Sequence, residues 1–255
     1  MKRAVLGRTE LTVSDLSLGS SALDGVSGLG SGGLHYYSTS KHKTGSGMKK
    51  RPEHETKAQI REAAIDLLIL NGYRGTNFRL IAERLGITTT NIHYHFGGKP
   101  SLVLDVVTGY VADAIRRQES VWRHPDTTLR EKLKLASTLN RQRYLRYNQG
   151  ENTNRPWSLI WRLRMEKEAL TPDTIACLDS YTTSLNQMIR EAVLKAGESG
   201  ELGESAPLGN ITTLLISLVD SAAAVALNSG WHQLDELYTA TADIVFSAYR
   251  PNGPF

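Results

Sequence analysis

Two histidines one residue apart, His93 and His95, and a single cysteine, Cys177, are the first groups in this sequence whose types suggest chemistry. Paired imidazoles could hold a metal ion, and a thiolate could act as a nucleophile. On a helix, residues two apart point about 200° away from each other, so His93 and His95 cannot share an ion. Cys177 has no histidine near it in sequence and falls in an amphipathic helical pattern, which reads as inert packing. No glycine-rich phosphate loop, carboxylate pair or nucleophile elbow stands out, so we expect no catalytic residue, no metal site, no cofactor and no enzyme activity. A different chemistry sits just ahead of the histidines, in "ITTTNIHYHFGGK", residues 87–99. Three threonines and an asparagine make a poor helix interior, yet Ile87, Ile92 and Phe96 frame them like the buried side of a helix. Hydroxyls and an amide displayed this way can read base edges. Threonine donates, accepts or offers its methyl to thymine, and asparagine matches adenine N6 and N7.

Such a display needs a second helix behind it. Ile81 and Ala82, with Gly86 four residues on and then Ile87 and Ile92, give the spacing of two helices crossing through a tight turn. Ala82 is small enough for close approach, Gly86 suits a turn position with positive φ, and Ile81, Leu85, Ile87, Ile92 and Phe96 supply the shared core. The pattern is a helix-turn-helix. Thr88 stands at the N-cap of the second helix, and Thr89, Thr90 and Asn91 lie at the end that enters a major groove. His93 and Tyr94 fall off the Ile92–Phe96 side, where they could reach phosphates, and Lys99 would add charge to that contact.

The rest of the chain divides by composition into residues 1–47, rich in Gly and Ser, residues 48–100, compact and basic, and residues 101–250, long helical patterns between short breaks. Ile60, Ala63, Ala64, Leu67 and Leu68 form one apolar face of a helix that Gly72 closes. Short helices are expected over 77–85 and 88–96, and longer ones over 100–120, 126–148, 155–169, 172–196, 207–229 and 232–249. Strand signals are absent after residue 48, so the expected class is all-α. Hydrophobic residues at 40%, charged residues at 22% and a net charge of +4 fit a globular protein that could bind nucleic acid, without arguing for it alone. One cysteine permits no intrachain disulfide and suits a reducing compartment. Ile211–Leu227, the most apolar stretch, is interrupted by Thr212, Thr213, Ser217, Asp220 and Ser221, and reads as a buried or dimer-forming helix rather than a membrane span. The N-terminus lacks a signal-peptide core, and the expected location is the cytoplasm.

The block "TKAQIREAAIDLLILNGYRGTNFRLIAERLGITTTNIHYHFGGKPSLVLDVV" resembles the N-terminal DNA-binding domain of TetR/AcrR-family transcriptional regulators, over roughly residues 55–107 and about a fifth of the chain. The resemblance places the family's phosphate contacts on Thr76, Arg79, His93 and Lys99, and its base-reading residues on Thr88, Thr89, Thr90 and Asn91. The chain departs from the family in having His93 where tyrosine is common, Thr90 where a small residue or glycine is common, and "GKP" where Ser-Lys-Glu is common. The resemblance further implies a helical C-terminal domain over residues 101–250 that binds a small effector and dimerises through the last two helices. It implies a ligand-responsive repressor acting as a homodimer on a near-palindromic double-stranded operator. Trp122, Tyr144, Tyr147, Trp157, Trp161, Met165, Tyr181 and Met188 are the candidate effector-pocket residues, with ordinary core packing as the alternative for each. A helical ligand-binding or protein-interaction module without DNA binding is the competing reading. It would carry acidic or bulky apolar residues on the surface around 76–99, where a basic, hydroxyl-bearing surface is expected here.

Residues 4–23 resemble the start of an aldo-keto reductase, a similarity running no further than about residue 30 and reaching none of that family's catalytic positions. Residues 1–47 are therefore expected to be poorly ordered and inactive, a misassigned start or fusion remnant ahead of Met48. If native, they would form a tether able to touch DNA through Lys41, Lys43, Lys49, Lys50 and Arg51.

Overall fold

A computed structural model describes residues 53–150 and 153–249. The extension over residues 1–47, with its aldo-keto resemblance and its lysines, lies outside the described residues, as do Lys49, Lys50, Arg51 and the residues from 250. The described residues form eight α-helices and no strand: α1 (Glu53–Gly75), α2 (Phe78–Leu85), α3 (Thr89–Phe96), α4 (Lys99–Trp122), α5 (Leu129–Tyr147), α6 (Leu159–Arg164), α7 (Pro172–Glu198) and α8 (Leu208–Ala248). A 3-10 turn, Lys167–Ala169, joins α6 to α7.

The N-terminal helices share one core. Ile60, Ala64 and Leu68 of α1, Ile81 of α2 and Ile92 of α3 are all fully buried, and truncating any of the isoleucines or Leu68 to alanine would cost about 2–5 kcal/mol. In the C-terminal layer α4 packs along α7, and α8 packs against both α5 and α7. The two layers meet where α1 lies against α6.

Local signals set most helix starts. The Thr128 hydroxyl accepts the Glu131 N–H while the Glu131 carboxylate accepts the Thr128 N–H, a capping box that starts α5 at Leu129 rather than at 126. Glu201 adds a tertiary cap, accepting the Leu129 and Arg130 N–H groups at 2.7 and 3.0 Å. The helix expected over 155–169 is shorter. Asn148 clips the chain by accepting the Arg155 N–H and donating to its carbonyl, and Ser158 then caps α6 at Leu159. The two helices expected over 207–229 and 232–249 run on as one element, α8, broken at Gly230 (φ 78°, ψ 177°).

By length and mean hydropathy, 1.7 in its most apolar window, α8 reaches the range of a membrane span, although 39% of that window is buried in the fold. Ile211, Leu215, Leu218, Ala222 and Ala226 face the core, while Leu214 and Ile244 stay exposed.

Candidate nucleic-acid interface and internal cavity

Gly86 makes the turn between α2 and α3. It sits in the left-handed region (φ 65°, ψ 33°), and both its N–H and that of Ile87 return to the Ala82 carbonyl, closing α2. Ala82 is buried, Leu85 and Ile87 are half-buried, and Ile92 and Phe96 pack inward. At the other end of α2, the Asn77 side chain caps the helix by accepting the Leu80 N–H at 3.0 Å.

With those groups inside, Thr88, Thr89, Thr90 and Asn91 are all exposed. The Thr88 hydroxyl accepts the Asn91 N–H at 3.2 Å and begins α3. Tyr94 projects from the same helix with 75% of its surface exposed. His93 is exposed, its ring edge-on to Phe78 at 4.6 Å between centroids, and its Nδ1 lies 2.9 Å from the Gly97 carbonyl. A carbonyl can only accept, so Nδ1 carries the hydrogen. Nε2 of the neutral ring is then an acceptor and could donate to a phosphate only as imidazolium.

The flanking cations differ. Arg79 is exposed and pairs with Glu83 one turn along, at 2.7 Å, which raises its pKa. The Lys99 ammonium lies 4.1 Å above the centre of the Tyr73 ring. Burial lowers its pKa, against an opposing pull from Glu166. Thr76 is placed otherwise than expected. It is buried, its hydroxyl donates to the Gly72 carbonyl at 2.7 Å and its N–H is directed to Tyr73, so its side chain is not available to a phosphate. Tyr73 as the platform for Lys99, and Lys57 at 5.3 Å from the Phe96 ring centre, were not singled out by sequence.

The candidate pocket residues separate in the same way. Trp157, Trp161 and Tyr181 line one small cleft of about 50 Å³, which reaches the surface at the exposed Asp220. Trp122, Tyr144 and Met188 are buried packing, Tyr147 donates to Asp66 of α1, and Met165 is mostly exposed, so these five are corrected to structural or surface positions. What sequence missed is the polar lining: Gln118, Asn140, Arg143, Arg164 and Asp220. These come from α4, α5, α6 and α8, and no local spacing links them. A larger open groove of about 490 Å³ lies between α5 and the second half of α8, where Arg130 pairs with Asp243 at 2.9 Å.

The family model described as bacterial regulatory proteins, tetR family, matches residues 60–106. No curated protein matches the sequence. Solved structures match the fold over most of the chain. A TetR-family transcriptional regulator from Agrobacterium tumefaciens is 17% identical, covering 76% of this chain and 99% of its own, with a TM-score of 0.67. A regulatory protein TetR from Rhodobacter sphaeroides is 16% identical, covering 72% and 96%, at 0.63. The transcriptional regulator FadR from Bacillus subtilis, in complex with stearoyl-CoA, is 17% identical, covering 76% and 99%, at 0.54. Nothing in these matches supports the aldo-keto resemblance. Residues 60–106 match the family model of tetR-family bacterial regulatory proteins, and the described residues share the all-helical fold of solved TetR-family regulators.

Proposed function

We propose that this chain is a homodimeric, ligand-responsive repressor in the cytoplasm. Residues 48–100 read DNA, and residues 101–250 dimerise and take up the effector. One observation carries the reading: Thr88 to Asn91 are exposed at the N-terminal end of a helix whose opposite face is locked in the core. Arg79, His93, Tyr94 and Lys99 flank it and would hold phosphates, setting register while Thr89, Thr90 and Asn91 read bases. Dimerisation rests on α8, which keeps Leu214 and Ile244 exposed beside partly covered Ile216, Val219 and Leu237. Two recognition helices in such a dimer would stand about 34–36 Å apart, one duplex turn. Effector binding would favour a conformer with the wrong separation and so lower operator affinity. FadR, solved with stearoyl-CoA, is a similarly folded regulator that binds a small molecule.

Footprinting on the duplex upstream of the chain's own gene tests the reading. The expected result is a protected near-palindrome with half-sites about one turn apart, from protein that sediments as a dimer at micromolar concentration. Protein that ignores every duplex at low salt, or that sediments as a monomer, would overturn it.

A further inference from the structure

The small cleft lined by Trp157 and Arg143 holds two guanidiniums, Arg143 and Arg164, against one carboxylate, Asp220. Arg143 donates to the Tyr110 hydroxyl and lies 5.4 Å from the Trp157 ring centre, and among the described residues no carboxylate pairs with it. Arg117 is close by, since both guanidiniums stack on the Tyr110 ring, at 5.8 and 5.7 Å. Arg164 has the only carboxylate in the lining, Asp220 at 3.8 Å, and otherwise donates to the Leu178 carbonyl and the Thr182 hydroxyl. Trp157, 3% exposed, lines the same space, and its indole N–H has no acceptor. Burial, and then the repulsion of Arg143, hold the Arg117 pKa below its ordinary value.

Arg117 has Asp113 near it and Arg164 has Asp220, but half-buried Arg143 is left short of counter-charge, which is costly, as is leaving a buried N–H unmade. Both are relieved by one kind of guest. We propose that this cleft binds the carboxylate of a small organic acid, with Arg143 and the Trp157 N–H donating to its oxygens. The proposal rests on the effector reading above and gives that effector its chemical class. The cleft is small, about 50 Å³. A guanidinium fork matches a carboxylate in shape. Ile160, Leu185 and Val219 of the lining offer apolar contact to the acid's short tail.

The test is thermal unfolding of the full chain without DNA, in acetate, butyrate and benzoate and in the matching amides. At least one acid should raise the midpoint by about 5 °C at a hundredfold excess over its Kd, while its amide does not. Trp157→Phe, which keeps the ring and removes the donor, should weaken that acid about tenfold or more. Arg143→Gln should abolish its effect, and if that variant does not fold, Trp157→Phe decides alone. Acids that shift nothing, amides that shift as much as acids, or Trp157→Phe binding as tightly as the native chain would each overturn the proposal. Because no duplex is present, failure here leaves the footprint untouched, and a missing footprint leaves this result untouched.

Discussion

The carboxylate of Glu166 fills the space that a Cβ on Gly72 would occupy: an added methyl carbon would lie 1.9 Å from its Oε1. The other oxygen accepts the Arg74 backbone N–H at 2.8 Å, and Arg162 lies 3.6 Å from the first. Gly72 itself has φ 75° and ψ −177°, a region open essentially to glycine alone. This pairing fastens the end of α1, which carries the helix-turn-helix, to the segment after α6, whose Ile160, Trp161 and Arg164 line the cavity. Gly72→Ala should therefore lose about 1–3 kcal/mol from the backbone alone, plus the bonds Glu166 gives up in moving aside. In urea titrations, Gly72→Ala combined with Glu166→Ala should fall short of the sum of the single losses by about 0.5 kcal/mol or more. Strict additivity would mean the two residues do not share this space.

Thr88 and Asn91 are joined by one hydrogen bond but should fail differently. Thr88→Ala removes the acceptor that starts α3 and should cost about 1 kcal/mol of stability. The Asn91 amide is exposed and leaves that cap intact, so Asn91→Ala should stay within about 0.5 kcal/mol of native stability. Its loss should appear in binding, as about 1–3 kcal/mol at the preferred operator and a relaxed choice at one base pair. Equal weakening on operator and random duplex would place Asn91 on the backbone instead.

Lys99 is held by the Tyr73 ring rather than by a carboxylate, so its charge is not neutralised by a salt bridge. Lys99→Gln should weaken every duplex alike and reduce the slope of log K against log salt by about 0.9, one phosphate contact. An unchanged slope would remove Lys99 from the interface.

What sequence made legible was local. Gly86, Thr88 and Ile92 each answer to neighbours within one or two turns, so spacing alone located the turn, the cap and the buried face. Thr76 misled because its type suits a phosphate contact, while its burial depends on how the chain leaves α1 at Gly72. The cavity was half visible. Trp157, Trp161 and Tyr181 stood out as aromatics, but Met165, equally conspicuous in composition, lies on the surface. Arg143, Arg164 and Asp220 carry the cavity's character and would each pass for a solvated charge, because only the packing of separate helices brings them together.

Lys132 gives the fold a pH dependence that can be isolated. It is buried on α5, its ammonium donating to the His124 carbonyl at 2.5 Å and the Thr127 hydroxyl at 2.7 Å. Burial, and then the like charge of Lys195, push its pKa from 10.5 down to about 8. Between those values the unfolded chain binds a proton that the folded chain does not, so this group's contribution to stability rises as pH climbs through the window. Below about 8 the folded chain bears the whole cost of keeping the charge inside, at most about 3 kcal/mol. Lys132→Met cannot take up that proton. The stability of the native chain relative to this variant should therefore increase by up to about 3 kcal/mol between the low and high ends of the window, read from urea titrations at several pH values. A difference that stays flat across the window would show that Lys132 keeps an ordinary pKa in the folded chain.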